Sequence, residues 1–187
     1  MLMITLGTGV GGAMIVNGSC LEGYNYAAGE IGHMVIRQGG KLCTCGRRGC
    51  LEAYASASAL TEQAREAAEK NPDSLLWQKA GKDPDSINGR LFMDCVKAGD
   101  ETARKVFDEY LSFLAEGTAN LINILQPERV CIGGGLSGAG EALLAPLRKR
   151  VSPMLYSRDS ERNAQIVAAV LGNDAGIIGA AFWQATD

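Results

Sequence analysis

The feature that most restricts the fold of this 187-residue chain is a set of four metal-binding side chains around one short loop. His33 is the single histidine, and Cys43, Cys45 and Cys50 follow it closely along the chain. Thiolates and imidazoles are donors that Zn²⁺ prefers, and four of them complete its tetrahedral coordination. The set therefore predicts a structural zinc site, because four protein ligands leave no open position for a reactive water.

The alternative is that the cysteines are reduced and buried, or that two of them form a disulfide. Cys43 and Cys45 are separated by a single residue and are too close in the chain to pair comfortably. Gly46 and Gly49 permit the tight turns that bring Cys50 back toward the first two thiols. The type and number of ligands favour zinc.

Two carboxylates flank the predicted metal ligands. Glu30 lies three residues before His33, and Glu52 lies two residues after Cys50. A carboxylate that is partly buried needs several hydrogen-bond donors, and the neighbouring hydroxyls of a sugar supply donors in pairs. Each acid also has a plainer explanation, since Glu30 fits a turn and Glu52 fits the first turn of a helix, where the helix dipole favours negative charge.

Two glycine-rich segments are candidate phosphate contacts. Gly7-Thr8-Gly9 follows the first apolar run, and Gly133-Gly134-Gly135 follows a buried strand later in the chain. Consecutive backbone amides without side chains can surround an anion, and Thr8 adds a hydroxyl donor. The first segment is equally compatible with a flexible hairpin and the second with an ordinary turn between a strand and a helix.

The apolar pattern predicts an α/β chain with a mixed sheet flanked by helices. The expected strands are Leu2–Leu6, Val10–Val16, Met34–Ile36, Arg129–Ile132 and Ile166–Leu171, with a hairpin turn at Asn17-Gly18. The expected helices are Leu51–Lys70, Ile87–Ala98, a long helix capped by Asp100 that ends at Leu125, Glu141–Arg150 and Ala175–Gln184.

Composition limits the classes of partner. The net charge is −3, which gives no electrostatic basis for binding nucleic acid or an anionic membrane. No apolar run approaches the length of a membrane span. Six cysteines, three of them clustered as ligands, fit a reducing cytoplasm better than a disulfide scaffold. The others, Cys20, Cys95 and Cys131, are expected to be inert core residues.

Taken together, the motifs indicate a particular protein family more specifically than any one of them does alone. Two segments resemble motifs of the ROK family of repressors, open reading frames and sugar kinases. They are Glu30-Ile31-Gly32-His33 and Cys43–Glu52, and the second matches the family motif without a gap. The segments Leu6–Gly12 and Ile132–Ser137 are similar to the family's glycine-rich phosphate hairpin and to the end of its nucleotide-side strand. The resemblance extends over the whole chain, and within the family the chain looks most like the bacterial glucokinases.

This resemblance implies one lobe of an actin-like (ribonuclease H-like) ATPase that phosphorylates a hexose with ATP and Mg²⁺. Glu30, His33 and Glu52 would bind the hydroxyls of the sugar, and His33 would also bind zinc. The two glycine segments would contact ATP. The resemblance also implies a homodimer or higher homo-oligomer.

The family's Asp-x-Gly-Gly-Thr hairpin and its catalytic Asn-Asp pair lie upstream of the matched segment. We therefore expect residues 1–187 to be the carboxy-terminal lobe, with the amino-terminal lobe as a partner and no catalytic base in this chain. Two other functions stay open: the sugar-sensing lobe of a ROK repressor with an upstream helix-turn-helix, and an interaction module that zinc stabilises.

Overall fold

The computed structural model describes residues 1–183, in which a five-stranded mixed sheet is combined with seven helices. The strands are β1 (Leu2–Leu6), β2 (Val10–Val16), β3 (Ser19–Cys20), β4 (Arg129–Gly133) and β5 (Gln165–Ala168). Their order across the sheet is β3-β2-β1-β4-β5. The β1–β2 and β2–β3 pairs are antiparallel, whereas β1–β4 and β4–β5 are parallel. The predicted α/β class with a mixed sheet is confirmed.

The turn between β2 and β3 was expected at Asn17-Gly18, and it lies there. Asn17 has a φ of 51° and Gly18 a φ of 84°, so both central residues adopt the left-handed conformation. Two such residues match the twist of the flanking strands, and asparagine and glycine are the residues that tolerate this backbone best.

One face of the central strands is fully buried. Leu2, Ile4 and Leu6 alternate along β1 with no exposed surface, and Val130 and Ile132 do the same on β4. These side chains form one core with apolar residues of the helices. The opposite face of β1 is only half buried, so the period-2 pattern of the strand distinguishes a core face from a partly open one.

The helices are α1 (Glu52–Ala55), α2 (Ala57–Lys70), α3 (Leu75–Lys79), α4 (Gly89–Ala98), α5 (Glu101–Leu125), α6 (Glu141–Val151) and α7 (Ala175–Trp183). Asp100 caps α5 as predicted, because its side chain accepts a hydrogen bond of 2.7 Å from the Ala103 amide. Gln126 ends that helix with a left-handed φ of 43°. The predicted end of the last helix, Gln184, lies outside the described residues.

Three predictions were wrong for the elements around α4 and around the loop of residues 43–50, called the metal loop below. Met34–Ile36 is not a strand, because only Val35 pairs, in an isolated bridge with Cys50. The helix predicted for Leu51–Lys70 is broken at Ser56, whose extended backbone separates α1 from α2 and whose hydroxyl caps α2. The helix predicted from Ile87 begins at Gly89, since the Asn88 side chain accepts from two amides of its first turn.

Other differences concern short or exposed segments. The five-residue helix α3 was not predicted, because a single turn carries too little periodicity to identify it. The strand predicted to reach Leu171 ends at Ala168. Cys20 is exposed on β3 and is not a core residue, whereas Cys95 is buried. Among residues 1–183, no helix has both the length and the apolar character that crossing a bilayer requires.

Candidate metal centre and substrate cleft

The loop that carries the three cysteines is closed by backbone hydrogen bonds. The Cys43 amide donates to the Arg47 carbonyl at 2.8 Å, and the Gly46 amide donates back to the Cys43 carbonyl at 2.9 Å. Gly49 has a φ of 87°, and a side chain there would collide with the carbonyl of Arg37. Glycine is therefore required where the loop returns toward Cys50.

The four predicted ligands converge. Donor atoms of His33, Cys43, Cys45 and Cys50 all lie within 4.8 Å of one another. His33 Nδ1 is 3.6 Å from Cys43 Sγ, and Cys45 Sγ is 3.7 Å from Cys50 Sγ. A tetrahedral zinc ion would separate a nitrogen from a sulfur by about 3.6 Å and two sulfurs by about 3.8 Å. The donor set and its spacing fit zinc.

The three cysteines of the cluster are all free and form no disulfide. Cys45 Sγ and Cys50 Sγ, at 3.7 Å, are well beyond the S–S bond length of about 2.0 Å. Burial raises the pKa of Cys50 to about 12, so this thiol needs a cation beside it to become a thiolate at neutral pH. A hydrogen bond from the Arg47 backbone lowers the pKa of Cys45. The two thiols therefore differ in how readily each loses its proton.

His33 connects this cluster to Glu30. Its Nδ1 faces Cys43, while its Nε2 lies 3.9 Å from Glu30 Oε2 one helical turn away. The His33 side chain is 32% exposed and that of Glu30 is 70% exposed. A metal on Nδ1 leaves Nε2 as the protonated nitrogen, so the imidazole presents a hydrogen-bond donor toward Glu30 and the space in front of it.

Glu52 connects the cluster to the glycine hairpin. Its Oε2 accepts a hydrogen bond of 3.0 Å from the Val10 amide, and its Oε1 accepts one of 3.1 Å from the Thr44 hydroxyl. A side chain at Gly9 would collide with the Glu52 carboxylate. Gly9 thus leaves room for the Glu52 carboxylate against its backbone, a contact that the spacing of the hairpin glycines does not reveal.

One cleft brings together two of the three predicted sugar residues and most of the predicted phosphate residues, whereas His33 does not line it. It has a volume of about 410 Å³ and is lined by Glu30, Glu52, the segment Gly7–Gly11 and Gly134. Residues from distant parts of the sequence meet there because β1 pairs with both the hairpin strand β2 and with β4. A polar cleft between backbone amides and carboxylates can bind a polyol beside a phosphate.

The three glycines after β4 lie in different surroundings. Gly133 is buried, and a side chain there would collide with the end of Met3. Gly134 lines the cleft with a φ of 81° and lies against the backbone of Leu6. Gly135 lines a neighbouring cleft of about 540 Å³ between α4 and the 3-10 turn Gly135–Ala139.

The start of α2 also faces the hairpin. The Ala57 amide donates a hydrogen bond of 2.9 Å to the carbonyl of Gly7. A larger opening of about 690 Å³ is lined by Gly7, Thr8, Thr44, Glu52 and the first turn of α2. The positive end of the α2 dipole therefore lies beside the predicted phosphate hairpin. The sequence had not indicated this, because the helix was expected to run unbroken through Ser56.

Comparison with known proteins agrees with these motifs and their order. The sequence model of the ROK family matches residues 1–187. The chain belongs to the ROK family. It is 40% identical over 178 residues to a glucokinase of Thermotoga maritima, and the match covers 95% of this chain and 56% of that protein. The chain thus spans little more than half the length of this curated relative.

Two solved structures of the family are similar in fold. A ROK family glucokinase from Streptomyces griseus, in complex with glucose and AMPPNP, superposes with a TM-score of 0.90 at 35% identity over 97% of this chain and 59% of that one. A ROK family transcriptional regulator, a homologue of the E. coli MLC protein, gives a TM-score of 0.76 at 26% identity over 89% of this chain and 41% of that one. The predicted actin-like ATPase lobe is confirmed.

Proposed function

We propose that residues 1–187 form the carboxy-terminal, sugar- and zinc-binding lobe of an ATP-dependent hexose kinase that converts glucose to glucose 6-phosphate. The observation that carries this proposal is the shared cleft, in which Glu30 and Glu52 lie beside the amides of the Gly7–Gly11 hairpin. A hexose kinase needs carboxylates that bind the sugar beside amides that bind the phosphates, because the sugar hydroxyl must lie in line with the phosphoryl group that it receives.

The sugar would be bound by Glu30, His33 and Glu52. Both carboxylates accept hydrogen bonds from ring hydroxyls, and the imidazole donates through Nε2, which faces Glu30 at 3.9 Å. A pattern of donors and acceptors fixed in this way discriminates against a sugar in which one hydroxyl is inverted. Fructose and N-acetylmannosamine are the competing substrates that the shared motifs leave open.

Zinc would be held by His33, Cys43, Cys45 and Cys50, whose donor atoms all lie within 4.8 Å of one another. When bound, it supplies structural cross-linking of the loop, with no open coordination position for substrate. The chain's own contribution is to orient the His33 ring and to place Thr44 and Glu52 beside the cleft.

The phosphates of ATP would contact Gly7, Thr8 and Gly9 in the hairpin and Gly134 across the cleft. Gly135 borders the neighbouring 540 Å³ cleft beside α4, which is large enough for a nucleoside. Gly133 is buried beneath this surface and supports it without facing it. Mg²⁺ would accompany the nucleotide and neutralise charge on the transferred phosphoryl group.

The reaction itself would need a base from the amino-terminal lobe. That base removes the proton of the sugar's 6-hydroxyl, the oxygen forms a bond to the γ-phosphorus, and the bond from that phosphorus to the bridging oxygen of ADP breaks. No catalytic residue is assigned to this chain. Its residues bind and orient the sugar and the nucleotide.

The proposal is tested with the longer protein, by following ADP release with glucose, fructose and N-acetylmannosamine in turn. Glucose should give the highest kcat/KM, and release of ADP that does not depend on any hexose would contradict the proposal. The similarity to a ROK transcriptional regulator keeps a sugar-sensing repressor as the second candidate. Binding of a specific DNA sequence that a hexose reverses, without phosphoryl transfer, would favour it.

A further inference from the structure

Thr44 lies between two predicted metal ligands yet contacts the carboxylate of the substrate cleft. Its neighbours Cys43 and Cys45 both contribute donor atoms to the cluster, so the backbone on each side of Thr44 is placed by the metal loop. Its hydroxyl donates a hydrogen bond of 3.1 Å to Glu52 Oε1. The direction is unambiguous, because an ionised carboxylate is only an acceptor.

The other oxygen of Glu52 reaches the glycine hairpin. Oε2 accepts a hydrogen bond of 3.0 Å from the amide of Val10, a residue that is 5% exposed. The carboxylate is therefore bound from two sides by parts of the chain that are far apart in sequence, the metal loop and the β1–β2 hairpin. Its side-chain torsions are determined by both contacts together.

Two of the acceptor positions on Glu52 are used in this way. A carboxylate has about four lone-pair sites, so about two remain for sugar hydroxyls. If the Thr44 hydroxyl were absent, Oε1 would keep only a 3.9 Å contact with Cys43 Sγ, a sulfur that has no proton to donate once it binds zinc. The carboxylate could then rotate about its bond to Cγ. The remaining acceptor positions would then no longer have a fixed direction toward the cleft.

We infer that Thr44 is a positioning residue, whose hydroxyl transmits the geometry of the metal loop through Glu52 to the Val10 amide of the phosphate hairpin. Threonine suits this role, because its β-branched side chain has few rotamers and loses little entropy when it makes the contact. The effect on sugar binding rests on the proposed function, whereas the coupling between Thr44 and Val10 does not.

The coupling is tested by amide hydrogen exchange at Val10, read by NMR in the zinc-loaded 187-residue chain. Thr44→Val keeps the shape of the side chain and removes the hydroxyl, and it should speed exchange at Val10 by about 3- to 10-fold, the effect of one net hydrogen bond. Thr44→Ser restores the donor and should exchange like the wild type. Thr102→Val, in the first turn of the long helix α5, controls for loss of a hydroxyl elsewhere.

A second variant keeps the test decisive if Thr44→Val binds zinc poorly. Glu52→Ala should leave zinc binding intact, speed exchange at Val10 and shift the methyl resonance of Thr44. Unchanged exchange at Val10 in both Thr44→Val and Glu52→Ala would overturn the inference, as would a Thr44→Ser chain that behaves like the valine variant.

In the longer protein, Thr44→Val should raise the KM for hexose by about 3- to 10-fold and leave kcat nearly unchanged, since it weakens binding of the ground state and the transition state alike. An unchanged KM for hexose would show that the Thr44 hydroxyl does not affect sugar binding. A wild-type protein without hexose kinase activity would instead refute the proposed function, and the exchange measurement at Val10 would still decide the coupling.

Discussion

The hydroxyl of Tyr110 donates a hydrogen bond of 2.9 Å to the carbonyl oxygen of Ala55, which lies 55 residues earlier in the chain. Both residues are fully buried, and burial raises the pKa of Tyr110, so the phenol remains a donor at every physiological pH. The bond satisfies a carbonyl at the break between α1 and α2. It thereby joins the long helix α5 to the segment that carries Glu52 and follows the metal loop.

Removing this donor should destabilise the fold. Tyr110→Phe leaves the Ala55 carbonyl buried without its partner, and we expect the free energy of unfolding to fall by about 1–3 kcal/mol. Urea denaturation measures this change. Tyr156→Phe is the matched control, because Tyr156 is 92% exposed and its loss of a hydroxyl should have little effect. Equal stability of the two variants would show that the Tyr110 bond contributes nothing.

A second prediction concerns the close contact between α5 and the residue after Cys50. A methyl group at Gly117 would lie 2.6 Å from a terminal carbon of the Leu51 side chain. Gly117→Ala should therefore lower the free energy of unfolding by about 1–3 kcal/mol, the usual cost of overpacking. Gly179→Ala, where the added methyl has open space, is the control. A Gly117→Ala chain as stable as the control would contradict the packing described here.

A third prediction concerns the metal. Purified chain should contain about one zinc ion, and Cys45→Ser should lose it because three ligands bind far more weakly than four. The melting temperature should fall by about 5 °C or more, equivalent to roughly 2 kcal/mol for a domain of this size. Elemental analysis measures the zinc content, and thermal denaturation measures the melting temperature. Cys20→Ser replaces an exposed cysteine outside the cluster and should retain both metal and stability.

A fourth prediction separates the sugar from the nucleotide. In the longer protein, Glu52→Gln should raise the KM for hexose about 10-fold or more and change the KM for ATP much less, because an amide has half the acceptor capacity of a carboxylate. Glu116→Gln, an exposed position on α5, is the control. Equal effects of Glu52→Gln on both substrates would indicate that Glu52 acts through the hairpin alone.

A fifth prediction follows from assigning the base to the amino-terminal lobe. The 187-residue chain should fold and bind zinc but transfer no phosphoryl group, and it should bind hexose weakly because a second lobe normally closes over the site. Addition of the amino-terminal lobe, covalently or in trans, should restore turnover. Hexose-dependent consumption of ATP by the purified chain alone, with contaminating kinases excluded, would show that a base lies within these residues.

The sequence by itself determined the features that depend on neighbouring residues or on ligand chemistry. The donors His33, Cys43, Cys45 and Cys50 predict a zinc site by their type and number, and the structure places them within 4.8 Å of one another. Asn17-Gly18 marks a hairpin because the turn requires left-handed residues, and Asp100 marks a helix start because its side chain reaches an amide three residues ahead.

Only the tertiary structure decided the features that depend on partners distant in sequence. Periodicity predicted one helix through Ser56, but the Tyr110 hydroxyl takes up the Ala55 carbonyl and the Gly7 carbonyl accepts from Ala57, so the break is stabilised from outside the helix. The contacts of Glu52 with Thr44 and Val10 arise in the same way. Hydrogen bonds between groups tens of residues apart form only after the sheet and helices have packed, so no local pattern of residue types contains them.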